Sequence, residues 1–479
     1  MKNKEEPSAH SRRGNPSVQV DLYFPDNVGT ETTGSPSRPG DTAATRAGQP
    51  ALSNSLESLM QHVVADANFE AAWKSVKRNR GAPGPDGITI AEFPDWFRPR
   101  WLSIRQQLLD GTYRPDPVRR KTIDKPDGGK RLLGIPNIVD RLIQQAIVQI
   151  LTPVFDPHFS DSSHGFRPKR SAHGAAKQVR RTVRRGYRFV ADFDLSKFFD
   201  RVQHDVLMSR VARRVRDKRL LQLIGRYLRA GVMVEGVLQP TDLGTPQGGP
   251  LSPILSNILL DDLDKELERR GLPFVRYADD FAVFAKSPRA AERIMNSVGR
   301  YVAKKLRLVV NEEKSRVLAC TEFEFLGFSF PKSRANINVS VKSILRFKQR
   351  VREITGRSRG ISMDRRLGEL RRYVRGWMGY FGIASQLKLF DKLDQWIRRR
   401  IRMCYWKQWK RPKRRRAMLI RLGVPRRQAI RHARSRKGHW RMAKTIASNV
   451  GLTNKWLQEE GLLSLKTLWA QLAPLRRTA

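Results

Sequence analysis

The residues that most invite chemistry are two adjacent aspartates, Asp279 and Asp280, in the stretch VRYADDFAVF (275–284). They interrupt two β-prone runs, FVRY and FAVFA, and are expected at the tip of a hairpin whose arms are apolar enough to be buried. A hairpin that merely reverses the chain favours Asn-Gly or Asp-Gly at its turn, and no glycine is present here. Two carboxylates at one tip repel each other until a cation lies between them, and an all-oxygen donor set favours Mg²⁺. Taken alone, such a pair is more often solvated surface.

A second acidic stretch changes the weighing. YRFVADFDLSKFFDRVQHDVL (187–207) begins as a β-like run ending at Asp194 and then turns helical. Strand alternation puts Val190, Asp192 and Asp194 on one face. If this strand lies beside the hairpin, Asp194 completes a three-carboxylate cluster with Asp279 and Asp280. Such a cluster can hold two Mg²⁺ ions roughly 3.5–4 Å apart, one activating a primer 3′-hydroxyl and both stabilising charge on the attacked phosphorus and the leaving pyrophosphate. The bland alternative for Asp194 is an N-cap of the helix that follows. Asp200 is expected on the helix surface or in a structural role, not as a ligand.

These acids need a body to position them. The chain has 479 residues, a formal net charge of +48 and a pI near 11.3, an excess that attracts polyanions, nucleic acid first. Anionic membrane is the rival, but no apolar run is expected to reach the roughly 20 residues that span a bilayer, and the polar N-terminus lacks a signal-peptide core. The two cysteines, Cys320 and Cys404, are far apart and suggest neither a disulfide framework nor a zinc site. A cytosolic setting is expected.

Residues 1–50, rich in Ser, Pro, Gly and Thr, read as a disordered tail. Helical periodicity from about Leu52 to Val76 ends at GAPGPDG. Strand-like and helical runs mix up to about 335, and beyond about 340 helical periodicity dominates. The fold class expected is therefore α+β, followed by an all-helical part. Residues 341–479 hold 38 Lys/Arg against 7 Asp/Glu, so 31 of the 48 net positive charges sit in that last part.

FDLSKFFDRVQHD, LGTPQGGPLSPILSNILLDDLD and RYADD occur in the order and approximate spacing of reverse-transcriptase motifs, and their wording resembles the enzymes encoded by bacterial group II introns. NRGAPGPDGIT (79–89), KPDGGKRLLGIP (125–136), SHGFRPKRSAHGA (163–175), LVVNEEKSRV (308–317) and FLGFSF (325–330) extend the likeness, which runs from about residue 60 to the C-terminus. The resemblance implies a right-hand polymerase: fingers and palm over 51–335, a thumb or maturase-specific domain over 336–410, and a basic helical region over 411–479 that resembles, by position, a DNA-binding segment. It implies Asp194, Asp279 and Asp280 as catalytic metal ligands, two Mg²⁺ ions and dNTP substrates. It also implies nucleotide contacts from Lys125, Arg131, Gln247, Tyr277 and Lys314, with Phe199 beneath the sugar, disfavouring a 2′-hydroxyl. Solvated surface is the alternative for the lysines, and core packing for Phe199.

In FDKLDQWIRRRIRMCYWKQWKRPKRRR, Leu393, Ile397, Ile401 and Cys404 keep a helical stripe for a core. The interleaved Arg398, Arg399, Arg402, Trp406, Lys407 and Lys410 suit backbone neutralisation and stacking on unpaired bases. By resemblance this part grips the parent intron RNA and assists its splicing, and the whole chain supports intron mobility by target-primed reverse transcription into a DNA target. Lacking the paired Cys and His of an HNH endonuclease, the chain is not expected to cut the bottom strand, so nascent strands at a replication fork or another free 3′ end would prime. The alternatives are a splicing-only maturase and a host-adopted reverse transcriptase. Whether the protein is a monomer or a dimer is not legible.

Overall fold

The computed structural model describes residues 58–124, 130–234, 237–239, 244, 248–331 and 336–472, the side chains of Arg131, Val232, Val234 and 237–239 excepted. The tail expected over 1–50 lies outside the described residues. Helix α1 (Asp66–Asn79) precedes β1 (Val118–Asp124), β2 (Lys130–Ile135) and α2 (Ile138–Phe155). Next come α3 (Ala172–Arg184), β3 (Phe189–Phe193), the one-turn α4 (Phe198–Arg201), β4 (Val232–Val234), β5 (Val237–Gln239) and α5 (Ser252–Arg269). Strands β6 (Phe274–Tyr277) and β7 (Asp280–Ala285), helix α6 (Pro288–Tyr301) and β8 (Arg316–Ala319) follow. Three two-residue strands, β9 (Glu324–Phe325), β10 (Phe328–Ser329) and β11 (Asn338–Val339), lead into α7 (Val341–Ile354), α8 (Met363–Phe381), α9 (Leu387–Gln408) and a run of shorter helices. This is the expected α+β body with a helical C-terminal part.

The chain forms two compact units. The first takes the residues up to Phe159 with Lys197–Asp262 and Leu306–Leu308; the second takes Ser160–Ser196, Leu263–Lys305 and everything from Val309 onward. In the first, a sheet of order β2-β1-β4-β5 accompanies α1 packed on α2. Helix α1 buries Phe69, Ala72, Trp73 and Val76, the i, i+3, i+4, i+7 pattern of an amphipathic helix, and stops at Arg80, whose φ of 48° is left-handed. Residues 138–158, α2 and the turn after it, are long and apolar enough to cross a membrane, which corrects the expectation that no run is. Its buried residues include Asp140, Arg141 and Gln144, a set that suits a core helix with internal polar partners. Asp140 accepts hydrogen bonds from the hydroxyls of Tyr113 (2.9 Å) and Tyr227 (3.2 Å).

The second unit is built on the antiparallel sheet β6-β7-β3-β8. Phe281 to Ala285 are all buried, as in a strand covered on both faces, and helices α3 and α6 supply that cover. Ala175, Ala176 and Val179 of α3 join Val190, Val275, Ala282 and Phe284 in one apolar cluster. Beyond it, one hydrophobic core runs from Val339 to Leu465. It includes Leu393, Ile397, Ile401 and Cys404, and it is continuous across the boundary expected at 410–411. Buried Asp394 of α9 locks the two sides together, accepting from Ser464 Oγ (2.7 Å) and from the amides of Leu465 (2.8 Å) and Lys466 (3.0 Å). Residues 336–410 and 411–472 thus share one packed body.

Candidate active site

The sheet register delivers the first two acids. β3 pairs antiparallel with β7, Phe193 opposite Phe281 and Asp192 opposite Ala282, so one further step sets Asp194 opposite Asp280. The Phe193 and Phe281 rings stack at 4.6 Å, closing the apolar layer behind the acids. Asp194 does not cap a helix: α4 starts at Phe198, with Lys197 as its N-cap. The segment 309–315 holds Asp194 instead. The amide of Asn311 donates to the Asp194 carbonyl (2.8 Å), the Asp194 amide donates to Ser315 Oγ (3.0 Å), and Asn311 Nδ2 donates to the Asp194 carboxylate (3.1 Å).

The hairpin tip is fixed from below. β6 and β7 close on Ala278 and Asp279, with Tyr277 opposite Asp280, and Ala278 carries a left-handed φ of 59° that costs a residue with a Cβ. Arg276, 0% exposed, donates from Nη1 to the Ala278 carbonyl (3.0 Å) and grips the equally buried Asp264 carboxylate of α5 through Nε (2.8 Å) and Nη2 (2.5 Å). Beside them the SHG segment runs along β6: the Arg276 amide donates to Ser162 O, and the His164 amide donates to Arg276 O. A Cβ on Gly165 would sit 2.2 Å from the Ala278 nitrogen, so glycine is required for the close approach. Arg276, Asp264, Asn311 and Ser315 were not singled out from sequence. Asp264 and Arg276 are 12 residues apart, and no spacing rule pairs a helix acid with a strand arginine at that distance.

Asp192, Asp194 and Asp280 line one cavity of about 370 Å³ with Lys314, Arg316 and Phe325. Asp192 is the acid that strand alternation already placed on this face. Burial, then repulsion from Asp280 and Asp194, pushes its carboxyl up to about 7, against the pull of Arg316. Asp280 is exposed as a residue, yet its carboxyl faces the cavity walls, and burial, then Asp279 and Asp194, pushes it up to about 6 against the pull of Lys314. Asp279 sits half-buried on the turn, and its side chain is not among those lining the cavity. The Lys314 ammonium lies 4.0 Å from the Asp194 carboxylate, so a side-chain cation already approaches the cluster. Among the described residues no three Asp, Glu, His or Cys groups stand close enough to hold one metal ion as they are. The donor chemistry nonetheless fits Mg²⁺: all-oxygen groups that repel one another, with a raised proton affinity at Asp280 that a cation would relieve.

The other sequence-expected residues fall out unevenly. Tyr277 is half-buried against the β-sheet cluster, its ring 6.5 Å from that of Phe166. Phe199 belongs to the first unit, half-buried and edge-on to Phe198 at 5.1 Å. Lys125, Gln247 and the Arg131 side chain lie outside the described residues. In the helical body, Lys407 and Lys410 are exposed and Arg398 is partly so. Trp406 is a correction: at 0% exposure, with Nε1 donating to Ser448 Oγ (2.5 Å), its indole is core and has no face left for a base. Arg402 is mainly structural, donating to Leu452 O (2.9 Å), Asn449 Oδ1 (2.7 Å) and Asn454 Oδ1 (3.2 Å).

A four-stranded antiparallel sheet that presents paired acids at a hairpin tip beside a third on the neighbouring strand defines a nucleotidyl-transfer polymerase. Residues 123–330 match the family model for reverse transcriptase (RNA-dependent DNA polymerase), and residues 344–422 match the group II intron maturase-specific domain. The chain is 32% identical to protein YkfC of Escherichia coli over 322 residues, covering 58% of this chain and 84% of that one. It is 35% identical to the group II intron-encoded protein LtrA of Lactococcus lactis over 261 residues, 54% of this chain but 42% of LtrA. A chain of a Cas6-RT-Cas1–Cas2 complex superposes with a TM-score of 0.34 at 25% identity, over 52% of this chain and 43% of that one. The protein belongs to the reverse transcriptase family, in the group II intron branch that joins an RNA-directed DNA polymerase to a maturase domain.

Proposed function

We propose that the chain copies RNA into DNA at the Asp194–Asp280 cavity and binds its parent group II intron RNA through the helical body, assisting splicing and intron mobility by target-primed reverse transcription. The observation that carries the polymerase half is the register: Asp194, one residue beyond the β3 ladder, stands opposite Asp280 and shares its cavity. Asp194, Asp279 and Asp280 would hold two Mg²⁺ ions, which supply the charge that activates the primer 3′-hydroxyl and steadies the pyrophosphate. The chain's own residues do the rest. Asn311 and Ser315 orient Asp194, Arg276 and Asp264 hold the hairpin tip, and Lys314 brings a cation to the cavity rim, where it can meet an anionic triphosphate.

The maturase half rests on the matched domain and on net charge, with a DNA target as the further partner in mobility. Primer extension on an RNA template with Mg²⁺ tests the first half: wild type extends and Asp279→Ala does not. An inactive wild type would leave a binding role alone. Splicing of a candidate parent group II intron RNA at physiological magnesium, with and without protein, tests the second, and an unchanged rate would remove it.

A further inference from the structure

A second open cavity lies away from the carboxylates, in the helical body. It is a cleft of about 720 Å³ between one face of α9 and the segment 440–454, so half of it lies beyond the matched maturase domain, which ends at 422. Five cations line it (Lys392, Arg398, Arg399, Arg402 and Lys444), and no carboxylate does. Such a concentration of like charge leaves an anion as the natural occupant.

Two further features narrow the anion to one that carries bases. The Arg399 guanidinium lies over the Trp440 ring, 3.9 Å from its centroid, and is pinned there by donating to the Trp440 carbonyl from Nε (3.4 Å) and Nη2 (3.2 Å). A guanidinium fixed on an indole is a flat, preformed platform of the kind on which unstacked bases lie. In the same cleft, Arg402 donates to the side-chain oxygens of Asn449 and Asn454, which orients both amides and directs their NH₂ groups to serve as donors for phosphate or base-edge acceptors. Burial, and then Arg398 one turn away, holds the Arg402 guanidinium below its ordinary pKa, a strain that a bound phosphate would relieve.

Resting on the RNA-binding half of the proposed function, we propose that this cleft takes unpaired nucleotides of a structured RNA, with a base on the Arg399–Trp440 platform and phosphates between Arg398 and Lys444. The volume lies within the roughly 300–1,000 Å³ range of small-ligand pockets, which suits a nucleotide or two lifted out of a helix and not a duplex groove. The difference is one of substrate class: loops and bulges are selected over paired RNA.

The test uses the full-length protein and three labelled probes: an RNA hairpin with an unpaired loop, the same strand fully paired to its complement, and the DNA version of the hairpin. Wild type is expected to bind the RNA loop about tenfold or more tighter than the duplex. Arg398→Gln with Lys444→Gln is expected to erase that preference and to flatten the log–log salt slope for the loop by about 1.4, near 0.7 per lost phosphate contact. Trp440→Leu should weaken the loop roughly 5- to 150-fold. The same two-charge loss on the exposed helix 426–433, Arg426→Gln with Arg427→Gln, should lower loop and duplex binding by equal factors. Equal losses on loop and duplex from the cleft pair, or as large a selective loss from the 426/427 pair, would overturn the assignment. Equal binding of the DNA hairpin would overturn its restriction to RNA. A wild type that binds none of the probes would instead bring down the RNA-binding reading on which this rests.

Discussion

In the sheet cavity, Asp192, Asp194 and Asp280 crowd one another and the proton affinity of Asp192 and Asp280 rises, whereas in the α9 cleft five cations crowd one another with no acid among them. Both regions store like-charge repulsion that a ligand of opposite sign releases, but they are held differently. The acids stand at the ends of short strands inside an apolar sheet, where register sets their separation. Four of the cations project from α9, whose other face is core, and two of them, Arg399 and Arg402, are tied by hydrogen bonds to backbone carbonyls. A reaction centre needs a fixed distance between few charges, while a grip on a polyanion needs many charges whose individual positions matter less. Single substitutions should therefore be severe in the first region and graded in the second.

The largest effect is expected at Asp194. Asp194→Asn keeps the shape and the Asn311 contact but removes a charge, and should lower the primer-extension rate at least about 10²–10³-fold with RNA affinity unchanged. Asp264→Ala strands the Arg276 guanidinium in the core and should cost about 3–5 kcal/mol in a denaturation experiment. Arg276→Lys retains the charge without the fork, and about 10²-fold lower kcat with an unchanged KM for template would show that the pair positions the tip. In the helical body, Trp406→Ala should cost about 3–5 kcal/mol as a cavity mutation. Lys407→Gln or Lys410→Gln, by contrast, should leave stability unaltered and lower the salt slope of RNA binding by about 0.7 each. If Trp406→Ala weakened RNA binding at unchanged stability, the distinction between core and grip would fail.

Proton competition gives a subtler test. With Asp280 near 6 and Asp192 near 7, both are protonated in part at pH 6 and largely ionised at pH 8. Mg²⁺ would require the ionised form of Asp280, and an ionised Asp192 beside it adds to the attraction, so the half-saturating Mg²⁺ should fall as pH rises through that window, by roughly up to tenfold per unit for each proton displaced. A flat profile would mean that Asp280 does not meet the metal. The smallest effect concerns Asp140, pushed up to about 7 chiefly by burial. Its folded-state pKa lies above the ordinary value, so the buried charge penalises folding progressively from about pH 4 to 7 and fully above. Asp140→Asn preserves an oxygen for Tyr113 and Tyr227, and should raise stability by about 2–3 kcal/mol more at pH 8 than at pH 5.

Much of the site was legible because its signals are short-ranged. Asp279 and Asp280 interrupt an apolar strand pair without turn glycine, and alternation along 189–194 put Asp192 and Asp194 on one face. The stripe Leu393, Ile397, Ile401 and Cys404 likewise announced the buried side of α9. Trp406 was misread because its neighbours in sequence are cationic. Its neighbours in space, Ser448 above all, come from a helix more than forty residues on.

Residue order alone determined the strands, the helices, the carboxylate inventory and the segregation of charge toward the C-terminus, because each is set by the period of apolar residues or by plain composition. Tertiary structure decided which acid faces which, that Arg276 and Asp264 brace the hairpin from inside, and which of the helical body's cations are tied down and which line a cleft. Those outcomes depend on contacts between segments remote in sequence, and desolvation and pairing energies come into being when the segments meet.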